Sequence, residues 1–238
     1  MTPRPVITRS YVICATPRSG SELLCEALRL TGVAGVPHEY LRRWVGKDTP
    51  LPPVTALEQI YREGTTGNGV FGIKVMWEQL DPLCRALSGA IGVTDSTPLE
   101  TLAAAWPNLQ WVHLSRRDTI RQAVSWSKAI RTGDWGTEPE PAAPPVYDAA
   151  EIDWCHRMVV EQERTWDLAF RSARIVPHRV VYEHLATEYE DTVGALLRFL
   201  NLPQPDQLVF EGRVLQQQSD PINEEWVDRF RRERAVQT

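Results

Sequence analysis

Tyr11-Val12-Ile13-Cys14-Ala15-Thr16-Pro17-Arg18-Ser19-Gly20-Ser21-Glu22-Leu23-Leu24 is the stretch on which the fold turns. Its first five residues form an apolar run of strand length. A short turn with one Gly and two Ser follows, and then the start of an apolar-periodic helix. Strand, small-residue loop and helix in that order aim several backbone N–H groups and the positive end of the helix at one spot, which binds phosphate or sulfate. Arg18 adds a planar, permanently charged fork suited to tetrahedral oxyanions. The loop lacks the G-x-x-x-x-G-K-[ST] pattern of nucleoside triphosphatases, so it is not a Walker A motif.

Outward from this stretch the pattern alternates. Tyr11–Ala15 predicts a buried strand and Ser21–Thr31 a helix, with Leu23, Leu24, Ala27, Leu28 and Thr31 at helical spacing and Gly32 as its stop. Val54–Arg62 predicts a short helix, Gly69–Val75 a second strand, Trp77–Leu87 and Leu99–Trp106 helices, and Trp111–Ser115 a third strand. Asp118 is placed to cap a helix running to about Arg131. Ala150–Arg171 carries Ile152, Cys155, Val159, Gln162, Trp166 and Phe170 on one side, a long amphipathic helix. Val180–Tyr182 predicts a short strand, Thr187–Leu200 a helix and Asn223–Arg232 a C-terminal helix. Residues 132–149 hold Gly, Pro and acidic residues without period and predict a loop or lid; residues 1–9 predict a loose tail. Strands alternating with helices imply an α/β fold with a mostly parallel sheet covered on both faces. A chain of 238 residues fits a single such domain, spanning 1–238.

Composition narrows the function classes. The formal net charge of −5 speaks against a general nucleic-acid binder, while leaving room for a local basic pocket. Cys14, Cys25, Cys84 and Cys155 show neither C-x-x-C spacing nor the His pairing of a zinc site, and no carboxylate or imidazole cluster offers itself to a metal. Free thiols on a strand and a helix act as small hydrophobes and point to a reducing compartment. Met1-Thr2-Pro3-Arg4-Pro5 has no apolar signal region, and no apolar run approaches membrane-spanning length. The expectation is a cytoplasmic protein with no membrane span and no nucleic-acid partner.

Each chemistry-bearing residue also has a plainer reading. Ser19-x-x-Glu22 fits a capping box, in which Ser19 caps the helix and Glu22 reaches back. Arg116, Arg117 and Ser125 can converge on one phosphate, or the arginines can be solvated charges. In Gly32-Val33-Ala34-Gly35-Val36-Pro37-His38-Glu39-Tyr40 the chain turns back through Gly and Pro toward the first loop. Either Glu39 or His38 could then accept a proton there: a carboxylate needs its pKa raised, an imidazole does not. Lys74 ends the second strand, where it could neutralise an anion, contact a second substrate, or snorkel to the surface. Lysine occurs only at positions 47, 74 and 128, which favours a purpose for one inside a motif.

Five blocks carry a resemblance. They are Arg18-Ser19-Gly20-Ser21; Gly32-Val33-Ala34-Gly35-x-Pro37-x-Glu39; Gly69-Val70-x-Gly72-x-Lys74-x-Met76-Trp77; Arg116-x-Asp118 with Gln122-Ala123-Val124-Ser125; and Glu225-Trp226-Val227. In this order, from about residue 10 to residue 232, the chain resembles the mycobacterial trehalose 2-sulfotransferase family. The resemblance implies a P-loop-like sulfotransferase fold and transfer of the sulfuryl group of 3′-phosphoadenosine 5′-phosphosulfate (PAPS) to a hydroxyl of a small molecule, a carbohydrate or glycolipid head group. It implies that Arg18, Ser19, Gly20 and Ser21 form the phosphosulfate loop, that Arg116 and Ser125 hold the 3′-phosphate, and that Glu39, rather than His38, is the general base. Arg18 would also stabilise charge on the leaving oxygen. Lys74 and Trp77 are expected beside the acceptor with Glu39. No metal is implied, and a homodimer is.

The chain departs from the family at several points. Glu22 stands where the family usually has Thr. Arg117 stands where the family tends to have Pro, and it lies at the distance from Ser125 common in other sulfotransferases, so either arginine fits the 3′-phosphate. The segment between Tyr40 and Gly69 is shorter than in trehalose-sulfating members, and Gln216-Gln217-Gln218-Ser219-Asp220 matches only in part. Acceptor contacts are expected from residues 40–66 and 132–149, where Trp44 and Trp135 could stack on a sugar. Two other functions compete. A P-loop nucleotide kinase or hydrolase would need the missing Gly-Lys and a strand-end Asp for magnesium. A catalytically idle nucleotide-binding member would keep the donor residues without turnover.

Overall fold

A computed structural model describes residues 5–42, 53–135, 144–204 and 221–235. In chain order the described elements are β1 (Arg9–Ala15), α1 (Ser21–Leu30), α2 (Val54–Gly64), β2 (Val70–Met76), α3 (Trp77–Ile91), α4 (Pro98–Ala105), β3 (Leu109–Ser115), α5 (Thr119–Thr132), α6 (Ala149–Ser172), β4 (His178–Val181), α7 (Tyr182–Thr187), α8 (Tyr189–Phe199) and α9 (Pro221–Ala235). The strands form one sheet in the order β2-β1-β3-β4, and every pairing is parallel. The α/β architecture expected from the alternation is therefore present.

β1 lies inside the sheet, between β2 and β3, and its residues Tyr11 to Ala15 are wholly buried. That placement explains a continuous apolar run where a half-exposed strand would alternate. The period of two instead sorts the run between two cores. Tyr11, Ile13 and Ala15 join the side chains of α1 and α8; Val12 and Cys14 join those of α2, α3, α4 and α6. A third apolar cluster ties α5, α6 and α9 through Val124, Trp126, Ile152, Val159, Trp226 and Phe230. Cys14, Cys25, Cys84 and Cys155 are buried, unbridged thiols within these layers.

Two sequence expectations shift. The strand expected at 180–182 lies at His178–Val181, and Tyr182 instead opens α7. The single helix expected over 187–200 is preceded by that six-residue helix and broken at Glu188, whose φ of −126° and ψ of 53° are not helical. A helix of fewer than two turns has no period to read, so α7 was invisible to pattern. At the N-terminus β1 starts at Arg9, and Thr8 N–H already donates to the Gly69 carbonyl at 2.9 Å. Much of the loop or lid expected at 132–149 lies outside the described residues, as do Trp44 and Gln216–Asp220.

The strand order places the site. The chain runs from β1 to β2 on one side, then crosses back to β3 on the other. The carboxyl ends of β1 and β3 therefore flank a topological switch point, where open parallel sheets bind ligands. A second consequence comes from register. Tyr11 lies opposite Gly72 and Ile13 opposite Lys74. A Cβ on Gly72 would stand 2.5 Å from the Tyr11 hydroxyl oxygen, so only glycine leaves room for that ring. The hydroxyl donates to the Ala34 carbonyl and pins the chain returning from α1.

Candidate active site

The loop Thr16–Gly20 leaves β1 under tension. Arg18 has φ 60° and Gly20 φ 86°, both left-handed. A left-handed arginine costs about 1–3 kcal/mol and persists only where its surroundings hold it. They do so here through four contacts. Arg116 Nη1 donates to the Arg18 carbonyl at 3.2 Å, and Gln122 Nε2 donates to the Pro17 carbonyl at 2.7 Å and to Thr16 Oγ1 at 2.9 Å. Thr16 Oγ1 in turn donates to Glu163 Oε1 at 2.8 Å.

The capping box is not formed. Gly20 is the N-cap of α1, and no side chain caps that helix. Glu22 turns away from the loop: its Oε1 is 2.7 Å from Arg29 Nη2 and its Oε2 3.0 Å from Lys74 Nζ. The Ser19 hydroxyl is buried, and among the described residues it has no hydrogen-bond partner. The same holds for Arg116 Nε. Buried polar groups in native structures are nearly always paired, so an orphan on the loop and another on the arginine that holds the loop point to a place built for a ligand.

Arg18 Nε donates to Ser125 Oγ at 2.9 Å, and its Nη1 donates to the Trp135 carbonyl at 2.9 Å. The Arg116 guanidinium lies 4.3 Å from the centre of the Tyr182 ring. That ring also covers Gly20, where a Cβ would stand 2.3 Å from Tyr182 Cδ2. Burial pulls the pKa of Arg18 below the usual guanidinium range although Asp134 opposes it, and burial lowers Arg116 likewise. Two desolvated cations side by side call for an anion.

Arg18, Ser19, Gly20, Ser21, Arg116 and Ser125 thus gather at the ends of β1 and β3. Arg117 does not join them. It is exposed, its backbone N–H meets the Glu183 carboxylate at 3.1 Å, and its Nη2 lies 3.0 Å from His184 Nε2. Successive residues at the end of a strand point to opposite sides, which separates two arginines that the sequence could not rank.

Beside this pocket the chain returning from α1 packs onto β2. A Cβ on Gly35, with φ 70°, would stand 2.8 Å from the Gly72 nitrogen. Lys74 N–H donates to the His38 carbonyl at 3.1 Å and fixes the next residue, Glu39. Glu39 Oε1 accepts from Gln79 Nε2 at 2.7 Å, and its Oε2 is 3.3 Å from Lys74 Nζ. Lys74 is 3 % exposed, so it does not snorkel. Burial pulls its pKa down, but Cys25, Glu39 and Glu22 outweigh that and raise it. Burial pushes the Glu22 carboxyl up, yet Lys74 and Arg29 prevail and hold it at about 2. His38 is exposed, 4.0 Å from Glu22 Oε1, and burial lowers its pKa. Trp77 is half-buried, edge-on to Trp166 at 4.9 Å. Trp135 reaches the pocket through its carbonyl, and its ring lies under the Arg42 guanidinium at 5.1 Å.

Sequence reasoning missed Gln79 and Tyr182. Gln79 stands in the first turn of α3, directly after the Lys74-x-Met76-Trp77 block, and that adjacency was its one signal. Tyr182 follows a strand too short to draw attention to its end. Among the described residues no group of His, Cys, Asp and Glu is arranged to hold a metal ion, and no helix is long and apolar enough to cross a membrane.

A two-arginine anion pocket and a carboxylate held by two donors, both at the carboxyl edge of one parallel sheet, can bind a polyanion and accept a proton. The comparisons with known proteins show the family and the fold. The family described as Stf0 sulphotransferase matches residues 10–233. A trehalose 2-sulfotransferase of Mycolicibacterium smegmatis is 31% identical, covering 94% of this chain and 95% of its own length. One of Mycobacterium tuberculosis is 32% identical with the same coverage. Among solved structures, the sulfotransferase domain from the curacin biosynthetic pathway shares the fold, with a TM-score of 0.50 and 15% identity over 89% of this chain and 79% of that one.

Proposed function

We propose, from the premise that this chain belongs to the Stf0 sulphotransferase family, that it is a sulfotransferase using PAPS as donor, a carbohydrate hydroxyl as acceptor and Glu39 as general base. The observation that carries the donor assignment is a pair of buried groups without a partner among the described residues: Ser19 Oγ, and Nε of Arg116, which holds the Arg18 carbonyl and lies over the Tyr182 ring. Arg18, Ser19, Gly20 and Ser21 hold the 5′-phosphosulfate. Arg116 and Ser125 hold the 3′-phosphate; Arg117, turned to Glu183 and His184, is left out.

When bound, PAPS supplies the sulfuryl group, which the acceptor oxygen takes as the bond to the 5′-phosphate oxygen breaks. Glu39 takes the acceptor's hydroxyl proton. Its second oxygen faces Lys74, and Gln79 fixes the first, so the carboxylate is oriented before the acceptor arrives. Arg18 and the loop N–H groups hold the growing negative charge, a contribution whose removal typically costs about 10²–10³-fold in rate. Lys74 and Trp77 line the acceptor side. The names of two relatives support a sugar as acceptor, and the short segment following Tyr40 points away from trehalose itself. The protein works in the cytoplasm, as a homodimer, without a metal.

Calorimetry with adenosine 3′,5′-bisphosphate and with ATP-Mg tests the donor. The bisphosphate binds more tightly; tighter ATP would overturn PAPS as the donor. A panel of sugars with labelled PAPS then identifies the acceptor, and turnover on none of them would overturn the sugar as acceptor.

A further inference from the structure

Lys74 is a buried ammonium shared by two carboxylates, Glu22 Oε2 at 3.0 Å and Glu39 Oε2 at 3.3 Å. The two are held differently. Glu22 is anchored from its own helix by Arg29 at 2.7 Å. Glu39 is anchored by Gln79, whose amide cannot reverse because its Oε1 already accepts from Met76 N–H at 3.1 Å. One positive charge therefore lies between two fixed negative ones, and the ammonium, hydrogen-bonded to Glu22 at 3.0 Å, stands farther from Glu39, at 3.3 Å. A carboxylate that keeps an ammonium to itself is a poor proton acceptor, because the pairing stabilises its charged form.

We infer that Glu22 is a positioning residue that sets the basicity of Glu39 by competing with it for Lys74. Without the Glu22 carboxylate, Lys74 would pair with Glu39 alone; with it, the ammonium is shared. The other ionisable groups facing the pair are Arg29 and Cys25 on α1, His38 on the returning chain and Glu78 on α3. The inference rests on Glu39 being the proton acceptor, but its effect is on titration and can be read without turnover.

The full chain, with its glutamates ¹³C-labelled at the carboxyl, is titrated by NMR, and the Glu39 signal is assigned by its loss in Glu39→Gln. Glu22→Gln lowers the Glu39 midpoint by about 0.5–1.5 pH units, and Lys74→Met raises it by at least as much. In the Lys74→Met background the Glu22→Gln shift shrinks, since only direct repulsion remains. Glu22→Asp withdraws the carboxylate from Lys74 while keeping its charge; it shifts the midpoint in the same direction by less, and it serves where Lys74→Met does not fold. A Glu39 midpoint that Glu22→Gln leaves unmoved or raises overturns the linkage. Full turnover in Glu39→Gln instead overturns the general-base assignment, whatever the titration shows.

Discussion

Glu39 and His38 are adjacent, and both have chemistry suited to accepting a proton. The structure treats them differently: Glu39 is gripped by Gln79 and Lys74, whereas His38 is exposed. Glu39→Gln keeps the size and one hydrogen bond but takes no proton at neutral pH. It lowers kcat by about 10²–10⁴-fold with little change in donor affinity. His38→Asn does much less, and the opposite ranking in steady-state assays would make the imidazole the base. Arg18 gives a second contrast. Arg18→Ala loses donor affinity and turnover, because its guanidinium joins Ser125 to the loop. Ser19→Ala also weakens donor binding, because this hydroxyl caps nothing. A Ser19→Ala variant with a lower melting temperature and unchanged bisphosphate affinity would restore the capping role that the geometry removes.

Most elements could be read from the sequence, because most are long enough to carry a period: β1, α1, β2, β3, α5 and α6 lie within a few residues of their apolar patterns. Asp118 caps α5 as expected, accepting from Arg121 N–H at 3.0 Å. The two halves of the site were legible as motifs at the ends of β1 and β2. What could not be read is how elements distant in sequence meet. Pattern does not bring Tyr182 onto Gly20, choose Arg116 over Arg117, or turn Glu22 from its own cap to a lysine on β2. Gly20 tests one such meeting. Gly20→Ala places a methyl into the Tyr182 ring and forces a left-handed alanine, and it costs about 2–5 kcal/mol in urea unfolding. With Tyr182→Ala in the background the ring clash is gone, so the same substitution costs less. An identical cost in both backgrounds would mean that Tyr182 does not pack there.

For the whole molecule, the ion pairs beside the site tie stability to pH. Glu22 joins α1 to β2 through Lys74, and its carboxyl is held at about 2, against 4.5 for an unperturbed glutamate. The unfolded chain therefore binds a proton at Glu22 at a pH where the folded chain does not. A depressed acid adds stability that is fully present above its unfolded pKa and is lost as pH falls through its folded one. Comparing the wild type with Glu22→Gln reads this contribution together with a smaller opposing one from Glu39, the other carboxylate on Lys74; the remaining carboxylates titrate in both proteins. The wild type melts higher by about 5 °C near neutral pH, and the gap closes as pH falls from about 4.5 toward about 2. Melting curves at intervals across that range check it. A gap that stayed constant down to the acid end would mean that the Glu22–Lys74 contact does not depend on the carboxylate's charge, and that packing alone holds α1 against β2.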